Sequence, residues 1–250
     1  MAAMNMEVSE ALGIQSKKRF RPEYISHVLL CPAAKRQKFS LEFRNGDIMD
    51  HAYRNLNTLI AHVVDCVSVR PYGVSKILAA RYPFSSPYIT RRRVGAFNWA
   101  RPKDRGYPGT IEVFKTKKHN PFVVNMYAQF YAGKSIDENA STQNLVSQLR
   151  RVSKNDRAKG FRGDDHLIEG LEDDTLENRQ RWLKKCLGKL AQFVRFAEVR
   201  TVVFPYKVAS GLSPGDWEKH YLFAIESFLH ELSNCKVKVI VLNIDQRSMR

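Results

Sequence analysis

TLIAHVVDCVSVRPYGVSKILAARYP, Thr58 to Pro83, decides the fold class. Its first eight residues are an apolar run bounded by polar ones, the pattern of a buried strand. A glycine turn follows at Pro71-Tyr72-Gly73-Val74-Ser75, and a helical stretch runs from about Val74 to Arg81. Pro83 ends it, because proline has no N–H to carry a helix onward. Strand, glycine turn and helix in that order make the repeating step of an alternating α/β chain.

The same step recurs outward from this stretch. Upstream, SLEFRNGDI reads as a short strand closing at Gly46-Asp47. Downstream, Thr110–Phe114 and Pro121–Gln129 read as two more strands. The second is apolar enough for a sheet covered on both faces, and its proline fits the first position of a strand. Leu183, Leu187, Leu190 and Val194 recur at helical spacing, which predicts an amphipathic helix over roughly Leu176–Ala197. RTVVFP is then a strand, and Trp217, Tyr221, Ile225, Phe228 and Leu232 form the apolar stripe of another helix. KVKVIVLNI closes the pattern, which predicts a sheet sandwiched between helices, an α/β/α architecture.

With 250 residues and 44% hydrophobic residues, the chain holds enough apolar surface for one large domain. The composition shifts place a basic arm at residues 1–38, a folded unit over 39–250, and within it a charged insertion at about 135–174. That insertion has six basic residues between Arg150 and Arg162, then seven acidic ones between Asp164 and Glu177. Between Ile89 and Thr110 the segment RRRVGAFNWARPKDRGYPG reads as irregular and exposed. Apolar runs such as Phe122–Met126 and Val239–Leu242 are far shorter than the roughly 18 residues of a bilayer span. No membrane partner is expected, and MAAMNMEVSEALG lacks the basic start and apolar core of a secretory signal. Cys31, Cys66, Cys186 and Cys235 are scattered with no metal-ligand spacing. Free thiols in a reducing compartment are expected, with no metal and no cofactor.

A formal charge of +16 points to a polyanionic partner, nucleic acid or a phosphorylated ligand, or else only to solubility. Two clusters, Lys17-Lys18-Arg19 and Lys35-Arg36-Gln37-Lys38, lie in the arm. PAAKRQK, Pro32 to Lys38, resembles the nuclear-import signal of the Myc protein. A nuclear import receptor is therefore an expected partner, and nucleus and cytoplasm the expected location. Direct contact of the arm with nucleic acid is a compatible alternative.

Ligands of open α/β sheets bind at the carboxyl ends of strands. Two glycine turns fall there: the one at Gly73, Val74 and Ser75, and Ala209-Ser210-Gly211-Leu212-Ser213 after the RTVVFP strand. Backbone N–H groups in such turns, and the helix dipoles behind them, favour a phosphate. Neither turn matches a Walker loop or the GxGxxG fingerprint, which disfavours ordinary nucleotide hydrolases and dinucleotide oxidoreductases. A plain strand-to-helix connection with Pro214 at the helix start accounts for the second turn equally well as backbone.

The ordered set GDI (Gly46–Ile48), Ile60–Pro83, PGT (Pro108–Thr110), VVNMYAQFYAGK (Val123–Lys134) and FPYKVASGLSPGDWEKH (Phe204–His220) resembles the macro domains that bind ADP-ribose, and most of all their ADP-ribose-1''-phosphate processing branch. The resemblance spans about Phe39 to Leu242. It implies a three-layer α/β/α sandwich with a mixed central sheet. It also implies ADP-ribose or an ADP-ribosylated protein as partner, with Asp47 beside Ile48 at the adenine. Gly73, Val74 and Ser75 would form the first phosphate loop, and Ser210, Gly211 and Leu212 the second. Two departures matter. The family's HxxN reads His62-Val63-Val64-Asp65 here, which puts a carboxylate where an amide would meet the distal ribose. Its GCGLAGG reads Ala209-Ser210-Gly211-Leu212-Ser213-Pro214-Gly215, with alanine in place of a glycine that lets backbone approach the diphosphate.

Asp65 and Asp216 are the candidate catalytic residues, each able to position water. Asp216 serves equally well as a charge at a helix N-terminus. His62, inside an apolar strand, is expected to be a hydrogen-bonded core histidine, and Cys66 has no cation to make it a nucleophile. Gln129 and Tyr131 end a strand where they could flank a ligand or simply pack. The expectations are an ADP-ribose-binding module, with hydrolysis of ADP-ribosyl groups or ADP-ribose-1''-phosphate as its enzymatic form. The alternative is a non-catalytic nucleic-acid-binding or protein-interaction module that uses Arg91–Arg93, Arg101, Lys103, Arg105 and the 150–162 cluster.

Overall fold

The computed structural model describes residues 40–48, 50, 53, 57–94, 98–115, 121–135, 170, 173–206 and 221–244. The basic arm with Lys17, Lys18, Arg19, Lys35, Arg36 and Lys38 lies outside them. So do most of the charged insertion and the second glycine turn with Ser210, Gly211, Leu212 and Asp216.

Six strands form one sheet: β1 (Ser40–Gly46), β2 (Thr58–Asp65), β3 (Ile111–Phe114), β4 (Phe122–Gln129), β5 (Thr201–Pro205) and β6 (Lys238–Ile244). Their spatial order is β1-β6-β5-β2-β4-β3. Every neighbouring pair is parallel except β3–β4, so the sheet is mixed. Among the described residues three helices cover it: α1 (Gly73–Arg81), α2 (Leu176–Phe196) and α3 (Phe223–Glu231).

Side chains alternate across a strand, and here both sides are buried. Leu59 and Ala61 of β2 join Val124, Met126, Val202 and Phe204 under Leu183, Leu187, Leu190 and Val194 of α2 and Ile225 and Phe228 of α3. Ile60 turns the other way, with Val123, Val203, Ile240 and Leu242, against Leu78 of α1 and Tyr82. Two apolar faces explain why β2 and β4 read as continuous apolar runs instead of alternating ones. The α2 stripe lies where its spacing predicts, and Thr175 caps the helix by accepting a hydrogen bond from the Asn178 N–H at 3.2 Å.

The arginine-rich segment differs from its expectation. The described residues between Ile89 and Thr110 are exposed only in part: Arg92, Arg93, Arg101 and Lys103 face solvent, but short 3-10 turns occupy Pro87–Thr90 and Pro102–Asp104, Arg93 bridges to Ala100, and Trp99 is buried. Arg91 and Arg105 are each 7% exposed. The Arg91 guanidinium lies over the rings of Tyr88 (5.1 Å) and Tyr127 (5.8 Å), and that of Arg105 over Trp99 (5.4 Å) and Phe130 (6.0 Å). A planar, weakly hydrated cation stacks on aromatic faces at a cost that an ammonium would not escape. Arginine in sequence therefore signals exposure, and four aromatic rings reverse it.

Candidate functional site

The five parallel strands end on one side of the sheet, where α1 follows β2 on one face and the next described helix after β4, α2, packs on the other. Connections that diverge in this way leave a crevice at the strand ends. A cleft of about 330 Å³ opens there. His62, Val63, Asp65 and Gln129 form its floor, Tyr72, Val74, Ser75 and Tyr88 one wall, and Tyr131, Ala132 and Gly133 the other.

The first wall is the start of α1. Tyr72 holds the N-cap position without a side-chain cap, and Gly73 has φ of +50°, a conformation costly for any residue with a Cβ. The first-turn N–H groups of α1 consequently lack intrahelical or capping acceptors and carry the positive end of the helix dipole. The floor is shaped by a slip in register: His62 pairs with Asn125 and Val63 with Met126, but Asp65 pairs with Gln129. One extra residue in β4 bends the strand and brings Gln129 beside Asp65 at the cleft. Gln129 is 8% exposed, and its Oε1 is a buried acceptor with no donor among the described residues. Such an atom costs about 1–3 kcal/mol while it stays unpaired.

His62 is buried in a fully specified environment. The Asn125 amide donates to the Ser85 carbonyl at 2.8 Å, so its Oδ1 faces His62 Nε2, also at 2.8 Å, and accepts the ring proton. Nδ1 is then the acceptor, and Ser75 Oγ lies 3.3 Å from it and 3.4 Å from the Val63 carbonyl. Burial lowers the His62 pKa to about 4, against an ordinary 6.5. The folded protein keeps this ring neutral while the unfolded chain protonates it near pH 6.5. The associated stability is fully present above about pH 6.5 and lost as the pH falls through about 4, roughly 3 kcal/mol in all. Urea denaturation at pH 7.5 and 4.5 should show a larger loss for the natural protein than for His62→Gln, and NMR titration of the ring should give a midpoint near 4. A midpoint near 6.5 would contradict this assignment.

Asp65 is 2% exposed and turned back on its own chain. Its Oδ1 accepts from the backbone N–H groups of Val67, at 3.0 Å, and Ser68. Arg91 Nη1 lies 3.8 Å away and donates to the Ser68 carbonyl at 2.6 Å, while Nη2 donates to the Asp65 carbonyl at 2.8 Å. Burial, then the Asp65 charge, push the pKa of Tyr88 up. Asp65 thus closes the turn leaving β2 and balances a buried cation, which explains how a carboxylate is tolerated where the resemblance implies an amide.

The second wall is held by α2. Asp174 and Arg179 form a two-pronged pair, Nε to Oδ1 at 2.7 Å and Nη2 to Oδ2 at 2.6 Å. Asp174 also accepts from the N–H groups of Phe130 and Tyr131. Arg179 further donates to the carbonyls of Tyr131, Gly133 and Lys134 at 3.1, 2.6 and 3.2 Å. Every strong donor and acceptor of the pair points at the loop that lines the cleft.

Of the residues the sequence singles out, Asp65, Val74, Ser75 and Gln129 come together around the cleft, and Gly73 adjoins it. Asp47 and Ile48 end β1, three strand positions from β2, and do not line it. Ile48 is a core side chain packed with Leu78 and Ile240. Tyr88, Asn125, Asp174 and Arg179 were missed, and Arg91, expected on an exposed basic surface, is buried beside Asp65. For the last two the only sequence signal is the Thr175 cap, which predicts a helix start and nothing about the ion pair. Cys66 is buried, with its thiol pushed well up by that burial, as an inert core thiol requires. Among the described residues no group of three or more His, Cys, Asp or Glu could hold a metal, and no helix is long and apolar enough to cross a membrane.

No protein-family model matches the chain, and no curated protein matches it. Solved structures similar to it include the macrodomain of Thermus aquaticus DarG, at 14% identity and a TM-score of 0.47, covering 82% of this chain and 99% of that one. The macrodomain of Mycobacterium tuberculosis DarG is 13% identical with a TM-score of 0.47, over 82% and 99% of the two chains. A Trypanosoma brucei macrodomain is 11% identical with a TM-score of 0.44, over 81% and 61%.

Proposed function

We propose that the cleft binds ADP-ribose or a related nucleotide, with a phosphate at the start of α1. One observation carries this reading: two unmet demands share one cavity. The uncapped first turn of α1 favours an anion, and Gln129 Oε1, buried and without a donor, favours a hydroxyl or amine. A phosphorylated sugar supplies both groups. The ordered motifs narrow that class to ADP-ribose, with its adenine toward Asp47, about 14 Å away across three strand spacings, and Ser210, Gly211 and Leu212 on its diphosphate.

Binding is better supported than turnover. Hydrolysis needs a group free to position or take a proton from water. Asp65 is occupied by two N–H groups and faces Arg91, and His62 is a poor base in its buried setting. Asp216 lies outside the described residues.

Calorimetric titration with ADP-ribose tests the proposal. Saturable binding is expected, weakened roughly 5- to 10-fold in Gln129→Leu, the worth of one neutral hydrogen bond. Absence of saturable heat for both the natural protein and Asp65→Asn would remove it.

A further inference from the structure

From Cys66 to Thr110 the chain carries nine lysines and arginines and one acidic residue, Asp104. The fold sorts these cations. Arg91 and Arg105 are buried among aromatic rings, and Arg92 holds Asp104 through two bonds of 2.8 Å. Arg81 lies over Tyr82 at the far end of α1. Lys76 is exposed on α1, and the other four, Arg70, Arg93, Arg101 and Lys103, are exposed on loops and make no ion pair among the described residues.

Backbone bonds bring these four together. The Val69 N–H donates to Asn98 Oδ1 at 3.1 Å and the Ala100 N–H to the Val67 carbonyl at 2.7 Å. Arg93 bridges to Ala100, and the Arg101 N–H donates to the Arg92 carbonyl. All four cations therefore stand on loops laced to the carboxyl end of β2, and the one nearby acid is already used. A patch of a single sign concentrates polyanions.

At the lip of the cleft, among these loops, Tyr72 is 54% exposed. Its hydroxyl accepts from Asn98 Nδ2 at 2.7 Å, so the ring is held at its tip while its body meets solvent. An immobilised ring costs little entropy to stack upon, and every nucleic-acid base has a face to offer it. In a duplex those faces are covered.

We infer that the loop cluster around Tyr72 binds single-stranded nucleic acid, with phosphates on Arg70, Arg93, Arg101 and Lys103 and an unpaired base on the Tyr72 ring. This surface meets the cleft only at Tyr72; Arg70, Arg93, Arg101 and Lys103 do not line it.

The test is fluorescence anisotropy with a 12-nucleotide oligouridine, its DNA counterpart and a duplex of the same length, using the full chain at 50 and 200 mM salt. The natural protein should bind both single strands, with log affinity falling about 0.7 per phosphate contact for each tenfold rise in salt. The triple variant Arg93→Glu/Arg101→Glu/Lys103→Glu should bind at least about tenfold more weakly, with a salt slope shallower by about 2. Its ADP-ribose titration and thermal unfolding should be unchanged, because these side chains are exposed and outside the cleft. Tyr72→Ala should lose about fivefold or more, and Tyr72→Phe, which keeps the ring, should retain affinity. Unchanged affinity in the triple variant, or duplex bound at least as tightly as single strands, would overturn the inference. Absence of ADP-ribose binding by the natural protein would leave it standing, since Arg93, Arg101 and Lys103 lie outside the cleft.

Discussion

Arg179→Met is expected to destabilise the protein by about 3–5 kcal/mol, the range for breaking a buried ion pair from one side. The Arg179 and Asp174 side chains are 1% and 0% exposed. Removing the guanidinium strands a carboxylate in the interior and frees the carbonyls of Tyr131, Gly133 and Lys134 together. Arg181, two residues on, is the internal control. It too pairs with an acid, Glu177 at 2.8 Å, but both side chains are more than half exposed. Arg181→Ala should cost no more than about 0.5 kcal/mol. Urea denaturation separates the two variants. At roughly 2–4 °C per kcal/mol for a chain of this length, Arg179→Met should also melt at least about 6 °C lower. Its binding of ADP-ribose should fall with the release of the cleft wall. A loss below about 1 kcal/mol would mean that the pair does not hold that loop.

The second expected result concerns Asp65. Asp65→Ala should cost about 3–5 kcal/mol, because Arg91 would be left as a buried charge without its counterion and the Val67 and Ser68 N–H groups without an acceptor. Asp65→Asn keeps the accepting oxygen and loses only the charge, so its cost should be about 1–2 kcal/mol. The two variants should also part on ligand affinity. A neutral amide removes a negative charge from the floor of a cleft proposed to hold phosphate, and Asp65→Asn should bind ADP-ribose more tightly than the natural protein. Equal stability of the two variants would mean that the oxygen is unimportant. Weaker binding by Asp65→Asn would show that the carboxylate serves the ligand directly.

These two carboxylates also mark the limit of what could be read without coordinates. Positions were legible to within two residues for Thr58–Asp65, Leu176–Phe196 and Lys238–Ile244. Apolar spacing is a local property that any window of the chain displays. The strand-end position of Asp65, Ser75 and Gln129 followed from the same alternation, because α/β connections place such residues at one edge of the sheet. Asp47 and Ile48, expected beside the ligand, follow β1, and the distance between β1 and the cleft depends on strand order, which alternation does not encode.

What the sequence determined by itself is the alternation of strands and helices, two covered sheet faces, an excess of positive charge, and a small-residue turn before α1. Tertiary structure alone decided which charges are spent. Arg91 meets the Asp65 carbonyl across 26 residues, and Asp174 meets the Phe130 N–H across 44. The sign of an arginine's contribution, buried counterion or exposed phosphate contact, depends on desolvation and on partners that no local window contains. Arg91 and Arg93 are two positions apart in the chain, and the fold encloses one in aromatic rings while it leaves the other in water.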